Sequence, residues 1–189
     1  MGKWMIGCAT GVAALLVMGT AQADPISGKA AKAMMFGTKA EVVVLDGTGL
    51  PADMAAALKT VLAGQPYYGA AAFSPDEGLM SEATVFTGNY HDVDAASKAA
   101  IQQCDAKRKG KAHCVVAAIV RPKGYKTRDL QLSAEASAGF KSGYPAAGGA
   151  LAISPSTGAW GIGGDEAGAV AACAGQAKKT RDCVVVISN

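Results

Sequence analysis

The stretch Gly149-Ala150-Leu151-Ala152-Ile153-Ser154-Pro155-Ser156-Thr157-Gly158 restates an earlier one, Gly69-Ala70-Ala71-Ala72-Phe73-Ser74-Pro75-Asp76-Glu77-Gly78, with six of ten positions identical. Self-similarity at this scale marks a chain assembled from related units. Downstream of each stretch two cysteines lie ten positions apart, Cys104 with Cys114 and Cys173 with Cys183. Each second cysteine is followed by a Val pair, Val115-Val116 or Val184-Val185. From Ser-Pro to the first cysteine the distance is 30 residues in the first unit and 19 in the second, so an 11-residue excess lies between Gly78 and Cys104. That excess predicts a longer hairpin or helix approach.

Working outward, Tyr68 to Ser74 and Ala150 to Ser154 are short apolar runs that end in Ser-Pro, with a Gly three residues beyond the Pro. Pro fixes φ and Gly is free to take positive φ, so each run reads as the first arm of a hairpin. The second arms are expected at Leu79 to Thr87 and Ala159 to Gly163. Asp92 or Asp94 can cap a helix ending near Cys104, and Asp165 can open an Ala-rich helix ending near Cys173. Closing strands are expected at Cys114 to Val120 and Cys183 to Ser188. Upstream of each unit lies another strand and helix, Glu41 to Leu45 with Ala52 to Ala63, and Leu130 to Leu132 with Ala134 to Lys141. Pro51 suits a first helical turn. The fold expected is α+β, with two related strand-strand-helix-strand modules at 67–122 and 148–189. An N-terminal strand-helix segment at 24–66 and a connecting one at 123–147 complete it, and the modules are expected to share one pseudo-symmetric sheet covered by helices.

Residues 1–23 read as a cleaved signal peptide. They carry the single cation Lys3, an apolar stretch from Met5 to Met18, and the small-x-small pattern Ala21-Gln22-Ala23. Trp4 to Gln22 approaches membrane-spanning length, but the small residues and the missing charge cluster favour removal, with Asp24 as the new first residue. Cys8 lacks a Leu-x-x-Cys setting and leaves with the signal, so four cysteines remain. An even count in an exported chain predicts disulfides, hence a periplasmic or secreted location. Nothing after Ala23 is long and apolar enough to span a membrane. Half of the 189 residues are hydrophobic and 17% are charged, which argues against disorder. A net charge of +3, or +2 without Lys3, is too mild to argue for nucleic acid.

Four cysteines allow three connectivities. Pairing each helix end with the strand start in its own unit repeats one geometry and closes two short loops, which favours Cys104 with Cys114 and Cys173 with Cys183. A metal site is not expected, because neither pair has Cys-x-x-Cys spacing and only His91 and His113 could join.

With Val184-Val185-Val186 after Cys183, the phrase from Ala150 to Gly161, including Thr157-Gly158-Ala159-Trp160, resembles the exported bacterial domain of unknown function 4189. Members carry a similar Gly-Ala-x-Ala-x-Ser-Pro-x-Thr-Gly-x-Trp-Gly hairpin, an Ala-rich helix ending in Cys, and a Cys-x-Val-Val strand. The likeness covers Gly149 to Asn189 and, more loosely, Tyr68 to Val120, where Glu77 and Met80 replace Thr157 and Trp160. It implies fold and export, and brings no catalytic residues. The full-length arrangement, including Gln65-Pro66-Tyr67-Tyr68-Gly69 and Asp76-Glu77-Gly78-Leu79-Met80, also resembles short bacterial proteins that carry the name 5-aminolevulinate synthase. That activity requires a large two-domain scaffold with a Schiff-base lysine and a phosphate cup, and this chain has neither.

No Gly-x-Ser-x-Gly elbow, His-Glu-x-x-His or Gly-x-x-x-x-Gly-Lys-Ser/Thr loop occurs. Gly161-Ile162-Gly163-Gly164-Asp165 lacks the third glycine of a dinucleotide loop, since Glu166 stands there, and reads as a strand ending in a helix cap. His91 with Asp92 and Asp94 forms a weak acid-base candidate, against the plainer reading of a polar helix start. His113 beside Cys114 suggests a nucleophile pair, but a disulfide would consume the thiol.

Both stapled loops are basic. The first carries Lys107, Arg108, Lys109 and Lys111, and the second carries Lys178, Lys179 and Arg181. They suggest contact with an anionic envelope component or an acidic protein, against the plainer role of keeping exposed turns soluble. The function expected is that of an exported, non-catalytic binding or envelope-associated protein with no cofactor. The alternatives are a small exported hydrolase or lyase with its site between the modules, and an interaction or inhibitor protein pairing through edge strands.

Overall fold

A computed structural model describes residues 24–145, 147–176 and 180–189. Residues 1–23, read above as a signal peptide, and Lys178 and Lys179 lie outside the described residues. In chain order the elements are α1 (Gly28–Met34), β1 (Ala40–Val44), α2 (Ala52–Leu62), β2 (Gly69–Phe73), β3 (Val85–Thr87), α3 (Val93–Asp105) and β4 (Val115–Pro122). The second half continues with α4 (Ala134–Gly143), β5 (Ala150–Ile153), β6 (Trp160–Gly163), α5 (Glu166–Gln176) and β7 (Val184–Ser188). The α+β class and two similar strand-strand-helix-strand modules are therefore present. The single pseudo-symmetric sheet is not, because the strands form two separate antiparallel sheets, ordered β1-β4-β2-β3 and β6-β5-β7.

Alternation along the central strands decides what covers each face. On β2, Ala70 and Ala72 pack toward α3, while Ala71 and Phe73 join Leu58 and Leu62 of α2. On β5, Ala150 and Ala152 pack toward α5, while Leu151 and Ile153 join Ala136 and Phe140 of α4. Each sheet thus lies between two helical layers. The register of the central pair shifts at the same aligned place in both modules, between Ala71 and Ala72 against β4 and between Leu151 and Ala152 against β7. Disulfides join Cys104 to Cys114 and Cys173 to Cys183, each tying a helix to the start of the closing strand.

Capping follows the local chemistry. Asp92 accepts from the Ala95 N–H at 2.7 Å, Ser133 from the Ala136 N–H at 3.1 Å, and Asp165 from the Gly168 N–H at 2.7 Å. Three expectations need correction. Leu130 to Leu132 forms no strand and pairs with neither sheet, and its two leucines sink into the core with α4 instead. The second hairpin arm is only Val85–Thr87, since Leu79 to Thr84 turns on itself, with Thr84 Oγ1 donating to Leu79 O at 2.7 Å. Helix α1 is additional. Ser27 caps it, Arg128 donates to Met34 O at its end, and Ile26 bridges to Ile187 so that the segment lies along the outer edge of β7. No helix among the described residues is long and apolar enough to cross a membrane.

Candidate functional site

Part of the 11-residue excess of the first module lies in the link that contacts the second. In the hairpin, Val85 follows Gly78 by seven positions where its counterpart Gly161 follows Gly158 by three. Between strand and helix, Gly88 to Asp92 stands in place of Gly164-Asp165, and α3 runs longer before its cysteine than α5 does. The longer link carries Asn89, Tyr90 and His91.

Asn89 takes a left-handed φ of 63°, a conformation that Asn tolerates better than most residues, and its Oδ1 accepts from the Glu135 N–H at 3.1 Å. The Asn89 carbonyl lies so close to the second hairpin that a Cβ on Gly158 would come within 2.3 Å of it. His91 is 2% exposed. Its Nδ1 accepts from the Ser133 N–H at 3.1 Å, which assigns the ring hydrogen to Nε2, and Nε2 donates to Ala159 O at 2.9 Å. Burial pushes its pKa below the ordinary 6.5, against the pull of the Ala159 carbonyl and of Asp92 and Asp182. One imidazole thus ties the entry of α3, the cap of α4 and the second hairpin. Both ring nitrogens are committed, so neither faces a substrate proton.

The aspartates flanking it do not converge on the ring. Asp92 is occupied as the α3 cap, and Asp94 is exposed on the first turn of that helix. In the second hairpin Thr157 Oγ1 donates to Ser154 Oγ at 2.8 Å, and Ser154 Oγ donates to Asp182 Oδ1 at 2.5 Å. Asp182 Oδ2 accepts from the Ser156 N–H at 2.9 Å. Partial burial opposes ionisation of Asp182, but the hydrogen bonds from Ser154 and Ser156 prevail and hold its carboxyl below the ordinary range. His91 bonds to neither Ser154 nor Asp182, so no imidazole is paired with the hydroxyl, whose proton goes to the Asp182 carboxylate. A cleft of about 460 Å³ does separate α3 from this hairpin, lined by Lys98, Gln102, Pro155, Ser156 and Asp182.

The first stapled loop is less cationic in space than in sequence. Asp76 accepts from the Lys111 and Ala112 N–H groups at 2.9 and 2.8 Å, and Glu77 from the Lys109 and Gly110 N–H groups at 2.8 and 2.9 Å. Those bonds to Gly110 and Lys109 hold the Glu77 carboxyl below its usual range. Arg108 is spent inside the loop, on Asp105 at 2.8 Å and on the carbonyls of Gly110 and Lys111 at 2.7 and 3.0 Å. Lys109 faces Glu82 at 3.6 Å, while Lys107, Lys111 and, in the other loop, Arg181 are exposed. His113 lies 3.4 Å from Asp105 on the surface, and Cys114 beside it is disulfide-bonded. Among the described residues no three His, Cys, Asp or Glu side chains gather as metal ligands would.

Comparison with protein-family models, curated proteins and solved structures found no match for this chain. The residues that the sequence reading missed are Asn89, Ser133 and Ala159, which meet around His91 from three segments. The length mismatch between modules was the signal that pointed there.

Proposed function

We propose that this chain is an exported, disulfide-stapled binding protein of the cell envelope, periplasmic or secreted, built by repetition of one module and without a catalytic centre. The observation that carries the reading is His91, whose two ring nitrogens are both occupied, one by the Ser133 N–H of the connecting segment and the other by Ala159 O of the second module. The two disulfides support an oxidising compartment, and the likeness of Gly149 to Gly161 to an exported domain supports the same route. Export would remove residues 1–23.

Native mass spectrometry of the protein taken from the envelope fraction of its own cell tests this. A mass beginning at Asp24 and four hydrogens light, with a reproducible bound species, is expected. A full-length chain with free thiols overturns export. A hydrolase or lyase activity that falls about 100-fold in a folded His91→Ala variant overturns the non-catalytic part.

A second reading, pairing with another chain, is favoured by β1, whose outer edge has no strand partner among the described residues and borders a groove of about 420 Å³ with Lys59 and Arg121 in its wall. Proline at Val42 or at Val43 that leaves partner capture intact overturns it.

A further inference from the structure

A groove of about 660 Å³ opens where α1, the last turn of α4 and the end of β7 meet. Lys29 and Lys32 line it from α1, where a spacing of three puts them on one face, and Lys141 lines it from α4. Phe140 and Tyr144 also line it, their rings stacked with centroids 4.5 Å apart. The groove has no carboxylate side chain in its lining. Among the described residues none of the three ammonium groups has a carboxylate within 4.0 Å, and Lys141 Nζ has only Phe36 O, at 3.5 Å. Three lysines around one concavity, with the α-carboxyl of Asn189 also at its edge, leave it net positive, and a bound anion relieves the repulsion among them. The Tyr144 hydroxyl is turned away to donate to Gly149 O at 2.6 Å, so its ring is left as an apolar surface.

The geometry points to a site for an organic phosphate, its phosphoryl group held by Lys29, Lys32 and Lys141 and its ester group lying against Phe140 and Tyr144. A phosphomonoester carries about −1.5 to −2 at neutral pH, which answers three monocations better than the single charge of a carboxylate. Lysine serves phosphate as a point charge and needs no bidentate geometry. This site rests on the binding-protein reading and gives it a ligand class.

The test titrates the disulfide-intact chain with phenyl phosphate, with inorganic phosphate, and with vesicles of phosphatidylcholine with and without phosphatidic acid. Phenyl phosphate is expected to bind more tightly than inorganic phosphate. Changing Lys29, Lys32 and Lys141 together to Gln is expected to weaken it by more than about tenfold. The same change at Lys107, Lys109 and Lys111 is expected to leave it within about twofold. If the triple variant misfolds, the pair Lys29→Gln and Lys32→Gln on the exposed face of α1 replaces it, with the same expectation. Vesicle binding that needs phosphatidic acid and these lysines assigns a lipid phosphate; phenyl phosphate binding without vesicle binding assigns a free organic phosphate. Equal affinity in wild type and groove variant, or no binding at about 10 mM, overturns the site. Equal affinity for inorganic and phenyl phosphate removes the aromatic part. A bound species still present on the envelope-derived protein would then leave the binding-protein reading standing.

Discussion

The two modules match in strand order, in the place of the register shift and in the staple, but their stapled helices approach their hairpins differently. In the second module α5 lies on bare backbone. A Cβ on Gly161 would come within 2.2 Å of Cys173 N, and one on Gly163 within 2.3 Å of Ala169 N. In the first module the aligned positions are Val85 and Thr87, and α3 packs on their side chains, with Thr87 Oγ1 donating to Ala96 O at 2.8 Å. Two residues per strand therefore set the spacing between helix and sheet, while topology and staple stay fixed. The module with side chains in that layer is also the one with the longer link, which reaches across to the other module through His91.

The sharpest break of this comparison is Gly161→Ala. The obstructing atoms are backbone, so the helix has to lift, and a loss of about 3 kcal/mol is expected in urea unfolding with disulfides intact. Val85→Ala, which opens space in the other module, should cost about 2 kcal/mol by the same measurement. A smaller loss for Gly161→Ala than for Val85→Ala would show that the backbone contact does not set the spacing.

Replacing either cysteine pair by alanine should cost about 3 kcal/mol, because each staple closes a loop of the same length. Equal losses would show that the staples act on the unfolded chain. A clearly larger loss in the second module would show that its tight helix packing also depends on the bond.

His91→Ala leaves the buried Ser133 N–H without an acceptor and should cost about 2 kcal/mol. It should also change the pH profile. The folded pKa of His91 lies below 6.5, so on acidification the unfolded chain takes up the proton first. Stability from this group is complete above about pH 6.5 and is lost as pH falls through the depressed folded value. Urea midpoints measured across that window should slope for the wild type and flatten for His91→Ala.

The smallest effects belong to the hairpin carboxylates, which fasten the two turns from opposite sides. Glu77 reaches from hairpin to loop, and Asp182 from loop to hairpin. Both are held below the ordinary carboxylate range, so what they contribute is present above it and is lost as pH falls through their folded values. Glu77→Gln and Asp182→Asn should each flatten the acid limb of an unfolding curve, and the double variant should flatten it by the sum, since the two turns share no partner.

Much of the fold was legible because it depends on short-range chemistry. Ala70 and Ala72 alternate with Ala71 and Phe73, the Ser-Pro turns follow, and Asp92 and Asp165 can satisfy helix N–H groups from their own neighbourhood. Equal cysteine spacing identified the staples because the helix and strand ends they join are close in sequence. Leu130 to Leu132 was misleading because a strand requires a partner strand to pair with, which an apolar alternation cannot report. His91 read as a helix-start residue, because the two groups that occupy its nitrogens arrive from Ser133 and Ala159. The groove was invisible for the same reason, since Lys141 is remote in sequence from Lys29 and Lys32 and meets them only where α1 settles beside α4. By itself the sequence determined most of the strands and helices, the Asp92 and Asp165 caps and the cysteine pairs, all products of local periodicity and loop closure. Only the tertiary structure decided that the strands divide into two sheets, that a buried imidazole joins the modules, and where Lys29, Lys32 and Lys141 gather, because those depend on which distant surfaces exclude water together.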